Sequence, residues 1–212
     1  MRDNISMSVI RRLPRYYRFL GDLERQGITR ISSKALAEKM GVGASQIRQD
    51  LNCFGGFGQQ GYGYNIPSLK EQIAEILGIP NKYDCIIIGA GNLGRAIATH
   101  MNFEERGFRL TAVFDQNESL AGKLVSGLPI RHISGLDDYC RSEKPTVAML
   151  CVPRSAAESL GHQLVRLGIK GIWNFTHFDF GEMDGVAVEN VHLGDSMMTL
   201  CYNVTRNLED KK

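Results

Sequence analysis

Gly89-Ala90-Gly91-Asn92-Leu93-Gly94 decides the fold. An apolar run, Cys85-Ile86-Ile87-Ile88, precedes it, and a second run, Leu110-Thr111-Ala112-Val113-Phe114, ends at Asp115. Strand, glycine turn, helix, strand and terminal acid are the layout of a dinucleotide site. Gly89 permits the tight turn, Gly91 lets phosphates approach, and Gly94 lets helix and strand pack. The helix opening at Asn92 turns its free N–H groups and positive dipole end toward a pyrophosphate. Asp115 is placed to accept hydrogen bonds from the adenosine ribose and to repel a 2′-phosphate, which favours NAD(H) over NADP(H).

Downstream, apolar runs and amphipathic stretches alternate, as in a parallel sheet with crossover helices. The pattern predicts strands at 84–89, 109–115, about 129–132, 146–152, 170–175 and 186–191. Helices are predicted at about 92–103, 117–124, 135–142 and 155–167. In this fold strand C-termini face the ligand crevice. Val152-Pro153-Arg154 and Asn174-Phe175 are therefore assigned to the nicotinamide half, with core packing as the alternative for Val152 and Phe175.

The first eighty residues have another character. Residues 1–65 carry ten Lys/Arg against five Asp/Glu, and the remainder fifteen against eighteen. The excess suggests an anionic partner for the first part alone, or else a solvated basic face. Ser8 to Gln26 has helical periodicity in Val9, Ile10, Leu13, Tyr17, Leu20 and Leu23. Pro14 either kinks that helix or lies in the first turn of one that starts later. Ser33 is read as the N-cap of a short helix through Met40. Gly41-Val42-Gly43 then turns into a third helix, Ala44 to Phe54, with Ile47, Leu51 and Phe54 inward. This is a helix-turn-helix pattern.

Ser45, Gln46, Arg48 and Gln49 lie outward on the third helix and are types that read base edges, though any solvated helix has a polar face. Residues 55–64 hold five glycines interleaved with aromatics and amides. That composition suits a sharply turned hairpin, a wing beside the helix-turn-helix, with Gln59, Gln60 and Tyr62 toward DNA. Lys34, Arg11, Arg12 and Arg15 are candidate phosphate contacts. A connecting helix is predicted from Ser68 to Leu77. The domains are read as 1–80, 81–191 and a C-terminal helix within 192–212, spanning Asp195–Leu208.

Hydrophobic content of 43% and charged content of 23% are those of a globular chain. No run approaches the ~20 apolar residues of a membrane span. The five cysteines are scattered and form no CxxC pair, which argues against metal and disulfide sites and for a cytoplasmic setting. His132, His177 and Lys170 are acid/base candidates without a partner that sequence can place. The terminal helix is apolar around most of its circumference, which fits either a buried cap or an inter-subunit element.

The chain resembles the Rex family of redox-sensing transcriptional repressors. The resemblance is carried by Ile47-Arg48-Gln49-Asp50-Leu51, Phe57-Gly58, Gly61-Tyr62-Gly63-Tyr64 and the glycine fingerprint. Val152-Pro153-Arg154, Gly168-Ile169-Lys170-Gly171-Ile172, Asn174-Phe175 and Val188-Glu189-Asn190-Val191 add to it. It implies a homodimer with a winged helix-turn-helix, a Rossmann domain and a swapped C-terminal helix. It also implies binding to palindromic double-stranded operator DNA, release when NADH binds, and weaker binding of NAD+. Family members often carry an acid directly after the Glu-Asn-Val stretch, paired with an arginine of the first helix. Here those positions are His192 and Arg18, and His100 stands where a tyrosine is common. Asp195 is the substitute carboxylate on offer. An NAD-dependent oxidoreductase and a CoA- or nucleotide-binding module are the alternatives.

Overall fold

The computed structural model describes residues 5–55, 58–59 and 62–210. The chain divides into two compact units, residues 1–81 and 82–212.

In the first unit, α1 (Met7–Ile10) stops at Arg11-Arg12 and α2 (Leu13–Arg25) starts anew. Pro14 sits in the first turn of α2, where its missing N–H costs nothing, so of the two alternatives the later-starting helix is the one formed, with α1 as a separate short helix before it. After β1 (Arg30–Ile31), α3 (Ser33–Met40) is capped by Ser32, whose side chain accepts from the Ala35 N–H at 3.1 Å. The cap is one residue earlier than predicted, and Ser33 is already helical. The turn Gly41-Val42-Gly43 leads to α4 (Ala44–Asn52), two residues shorter than predicted. β2 (Gly58–Gln59) and β3 (Gly63–Asn65) pair antiparallel, and β1 joins the other edge of β3. The expected wing is therefore present with a third strand. Its turn residues Gln60 and Gly61 lie outside the described residues. α5 (Ile66–Leu77) follows, capped by Asn65. Leu13, Tyr16, Leu20, Leu36, Ile47, Leu51, Ile66 and Ile73 close one core.

The second unit is an α/β layer structure with helices on both sheet faces. Its elements are β4 (Tyr83–Ile88), α6 (Asn92–His100), β5 (Phe108–Asp115), β6 (Leu124–Val125), β7 (Leu128–His132) and α7 (Leu136–Glu143). They continue as β8 (Val147–Leu150), α8 (Arg154–Arg166), β9 (Gly171–Asn174), β10 (Ala187–Asn190) and α9 (Leu193–Glu209). The sheet order is β10-β9-β8-β4-β5-β7-β6. All pairs are parallel except β6 with β7. Because side chains alternate across a strand, Ile86, Ile88, Phe114 and Leu150 pack on one face, and Cys85, Ile87, Val113 and Met149 on the other.

One predicted helix is absent. Residues 117–124 form only a 3₁₀ turn at Glu118–Leu120 before β6 begins. β6 and β7 are joined by Ser126-Gly127, both at positive φ (50° and 79°), a two-residue hairpin turn that follows the predicted helix span. The terminal helix begins two residues earlier than predicted and contains no buried residue.

Candidate functional site

The chain order of the parallel strands reverses between β4 and β8, where ligands bind in open α/β sheets. Gly89 (φ +102°) turns the chain there, and a Cβ on it would strike the Cys151 carbonyl. A Cβ on Gly94 would overlap the Gly89 carbonyl oxygen. Beside Gly91 a Cβ would meet nothing within 4 Å. Two glycines thus permit close backbone packing, and the middle one borders open space.

α6 starts at this opening with no acidic residue in its first turn, and α8, after β8, has none either. α7, away from the reversal, carries Asp137 and Asp138 in its first turn. The positive ends of α6 and α8 are therefore left uncompensated by their own side chains.

Asp115 ends β5 beside the loop. Its Oδ2 accepts from the Ala90 N–H at 2.6 Å and its Oδ1 from the Asn117 N–H at 2.8 Å. A carboxylate offers about four lone-pair sites. Two of them are engaged here, which leaves acceptors for two hydroxyls. Ala90 is buried, while Asn92 and Leu93 are exposed at the start of α6. Val152 is half-buried, Pro153 caps α8, and Phe175 stacks edge-on against Trp173 at 4.6 Å.

Asn174 is not available to a cofactor. It is fully buried, and its Nδ2 donates to the Phe178 carbonyl at 2.6 Å and to Asn190 Oδ1 at 2.8 Å. Its Oδ1 accepts from the Thr176 N–H and hydroxyl at 3.0 and 2.7 Å. The amide's capacity is used up within the protein. Asn190 donates in turn to the Phe180 carbonyl, so the network pins segment 175–180 to the ends of β9 and β10. Strand parity carried the signal: Asn174 shares the inward side of Ile172.

His192 lies just before α9 with its Nε2 2.6 Å from Asp179 Oδ1. The carboxylate beside it is thus Asp179, on the segment the asparagine network pins. Asp195 lies exposed in the first turn of α9, and His100 is exposed at the end of α6. Arg18 is exposed on α2, and His177 and Lys170 are exposed.

In the first unit, Ser45, Arg48 and Gln49 are exposed on α4 and Gln46 is half-exposed. Arg48 Nη1 donates to Ser33 Oγ at 3.1 Å, which tethers its guanidinium to the start of α3. Lys34, Arg11 and Tyr62 are exposed, and Gln59 lies on β2.

Arg12 has a partner other than the expected phosphate. Its Nε and Nη2 each donate to Asp50 at 2.7 Å, and the Tyr16 hydroxyl donates to Asp50 Oδ2 at 2.6 Å. Asp50 is only 3% exposed. Desolvation pushes its carboxyl pKa up. The hydrogen bonds from Arg12 and Tyr16, with the Arg12 charge, outweigh that and hold it below the ordinary value. Asp50 occupies the inward side of α4 between Ile47 and Leu51, and an acid on that side demands a buried partner.

Two buried thiols, Cys85 and Cys140, and the partly buried Cys151 complete the electrostatics. Desolvation pushes Cys85 and Cys151 up to about 12 and Cys140 up to about 11, with Asp84 and Asp137 adding to Cys85 and Cys140. These are core thiols, not thiolates.

Residues 4–52 match the family model described as the N-terminus of a putative DNA-binding protein, and residues 80–178 match the CoA binding domain. The redox-sensing transcriptional repressor Rex of Clostridium novyi (strain NT) is 50% identical over 199 residues, covering 94% of this chain and 95% of the relative. Rex of Thermoanaerobacter pseudethanolicus (strain ATCC 33223 / 39E) is 48% identical over 211 residues, covering 100% and 94%. The chain belongs to the Rex family of redox-sensing transcriptional repressors. A crystal structure of RSP with β-NAD+ and operator DNA matches with a TM-score of 0.89 at 48% identity, covering 98% of this chain and 95% of that one. RSP with β-NADH matches with a TM-score of 0.89 at 45% identity, covering 99% of each. As a Rex member the chain is a regulator.

Proposed function

We propose that this Rex protein is a homodimeric repressor that binds a palindromic operator and releases it when NADH occupies the cleft between β4 and β8. The supporting observation is the glycine loop, open at Gly91 and faced by Asp115 with acceptors to spare, in a chain with a winged helix-turn-helix. RSP, its structural neighbour, is described with NAD+ and operator DNA and with NADH.

The residues present fit a dinucleotide. The N–H groups at Gly91, Asn92 and Leu93 would hold the pyrophosphate, and Asp115 would hold the adenosine ribose. Val152, Pro153 and Phe175 would border the nicotinamide. When bound, the dinucleotide supplies the redox signal; the chain's own residues bind it and transmit its presence. Ser45, Gln46, Arg48 and Gln49 would read bases, with Lys34, Arg11, Gln59, Gln60 and Tyr62 positioning the backbone. A palindrome requires two reading helices about one helical turn, ~34 Å, apart. Release follows if NADH favours an arrangement that fails this spacing.

The test is an operator-binding titration with NADH and NAD+ in parallel. NADH should release DNA at a lower concentration than NAD+; equal effects would overturn the sensing reading. We also infer that the protein does not turn over substrate. Purified protein should not oxidise NADH with simple carbonyl compounds. The match of residues 80–178 to the CoA binding domain supports one second reading, tested by adding CoA as a competitor of NADH.

A further inference from the structure

His132 ends β7, directly across from Asp115 at the end of β5. Its Nε2 lies 3.2 Å from the carbonyl oxygen of Gln116, the residue after Asp115. Its Nδ1 lies 2.8 Å from Ser134 Oγ and accepts from the Ser134 backbone N–H at 3.3 Å. These partners match the tautomer with its proton on Nε2. A carbonyl oxygen cannot donate, so Nε2 carries the proton. A backbone N–H cannot accept, so Nδ1 is bare.

We infer that His132, as the neutral Nε2–H tautomer, is a positioning residue for the adenosine-ribose end of the dinucleotide site. One ring nitrogen caps the turn Ile133–Gly135 that leads into α7. The other holds the Gln116 carbonyl and so fixes the turn from Asp115 to Asn117. That turn aims the Asp115 carboxylate, because the Asn117 N–H bonds its Oδ1. The imidazole thereby joins two strand ends at the place where the second carboxylate oxygen reaches back to the glycine loop. Its function is orientation: the Asp115 acceptors are pre-aimed, and less ordering remains to be done when a ribose arrives. This inference rests on the proposed NADH site.

His132→Asn separates the two bonds. Asparagine is a good N-cap and keeps an acceptor for the Ser134 N–H, but it is too short to reach the Gln116 carbonyl. The variant should melt close to wild type and bind both NADH and AMP about fivefold more weakly, the worth of one ordinary hydrogen bond. Equal weakening of AMP places the effect on the adenosine side. In wild-type protein, ¹⁵N spectra of the His132 ring should show a protonated Nε2 and a bare Nδ1. Ser134→Ala, which removes only the hydroxyl from Nδ1, should weaken both ligands in the same direction by a smaller factor. Unchanged affinities in His132→Asn, or a ring protonated at Nδ1, would overturn the inference while wild-type NADH binding still stood. A wild-type protein that bound no NADH would overturn both readings together.

Discussion

Asp50 and Asp115 are carboxylates near the ends of regular elements, and the molecule uses them in opposite ways. Asp50 is shut inside the first unit, and its oxygens are taken by the side chains of Arg12 and Tyr16. Asp115 stands at the lip of the sheet, held by two backbone N–H groups and still open to further donors. A closed carboxylate holds two helices together, and an open one is available to a ligand. Residue type and helix or strand position do not separate these roles. The count of lone pairs already engaged does.

The largest effect expected from this contrast is on Asp50. Asp50→Ala leaves a cation and a hydroxyl without their acceptor at the α2–α4 contact. Removing one partner of a buried pair costs about 3–5 kcal/mol. Arg12 is about a third exposed, so about 2–4 kcal/mol is the better figure. Melting of the first unit should fall by on the order of 10 °C. A melting temperature within a degree or two of wild type would show that the pair is dispensable. Asp115→Ala is the counterpart. It should weaken NADH binding by about 10- to 100-fold, the value of hydrogen bonds to a charged group, and leave that melting almost unmoved. Calorimetry that found equal NADH affinity, or tight NADPH binding by wild type, would erase the distinction.

Arg48→Ala probes a third condition, a side chain tethered yet exposed. It should cost about 1–3 kcal/mol of specific operator binding and relax sequence preference at one position. Competition between cognate and scrambled operators measures both, and unchanged discrimination would remove α4 as the reader.

The smallest expected effect is in acid. The folded-state pKa of Asp50 is lowered, so its stabilisation is fully present above the unfolded value of about 3.9. It is lost as pH falls through the lower folded value. Stability of the first unit should therefore decline over that window in wild type and more shallowly in Asp50→Asn. Parallel declines would assign acid unfolding to other groups.

What could be read in advance follows the same division. The glycine loop, Asp115 and the alternation of strands and crossover helices were legible because local spacing and periodicity dictate them, whereas the strand order is set by contacts between elements far apart in sequence. The α4 outer face was legible from helical periodicity. Asp50 was passed over although Ile47 and Leu51 place it inward, since its partners lie 34 and 38 residues away. Asn174 was misassigned because a strand C-terminus invites a ligand, whereas parity turns this amide into the protein. The short strand Leu124–Val125 was missed because the helix expected over 117–124 reached its first residue, and the turn at Ser126-Gly127 fell between that helix and the strand expected at about 129–132. His192 drew attention as an oddity, but nothing local points to Asp179.

α9 carries a final consequence. Met197, Met198, Leu200, Tyr202 and Leu208 are each at least 60% exposed on a 17-residue helix with no buried residue. Most of a helix's stability in a protein comes from packing an apolar face, and the apolar face of α9 has nothing of its own chain against it. Its order must then be shared with whatever covers it, and in the proposed homodimer that cover is another copy of the same chain. Stability would then rise with the amount of protein present. A cell making few copies would hold not merely less repressor but a less durable one, so the number of molecules becomes an input alongside the cofactor.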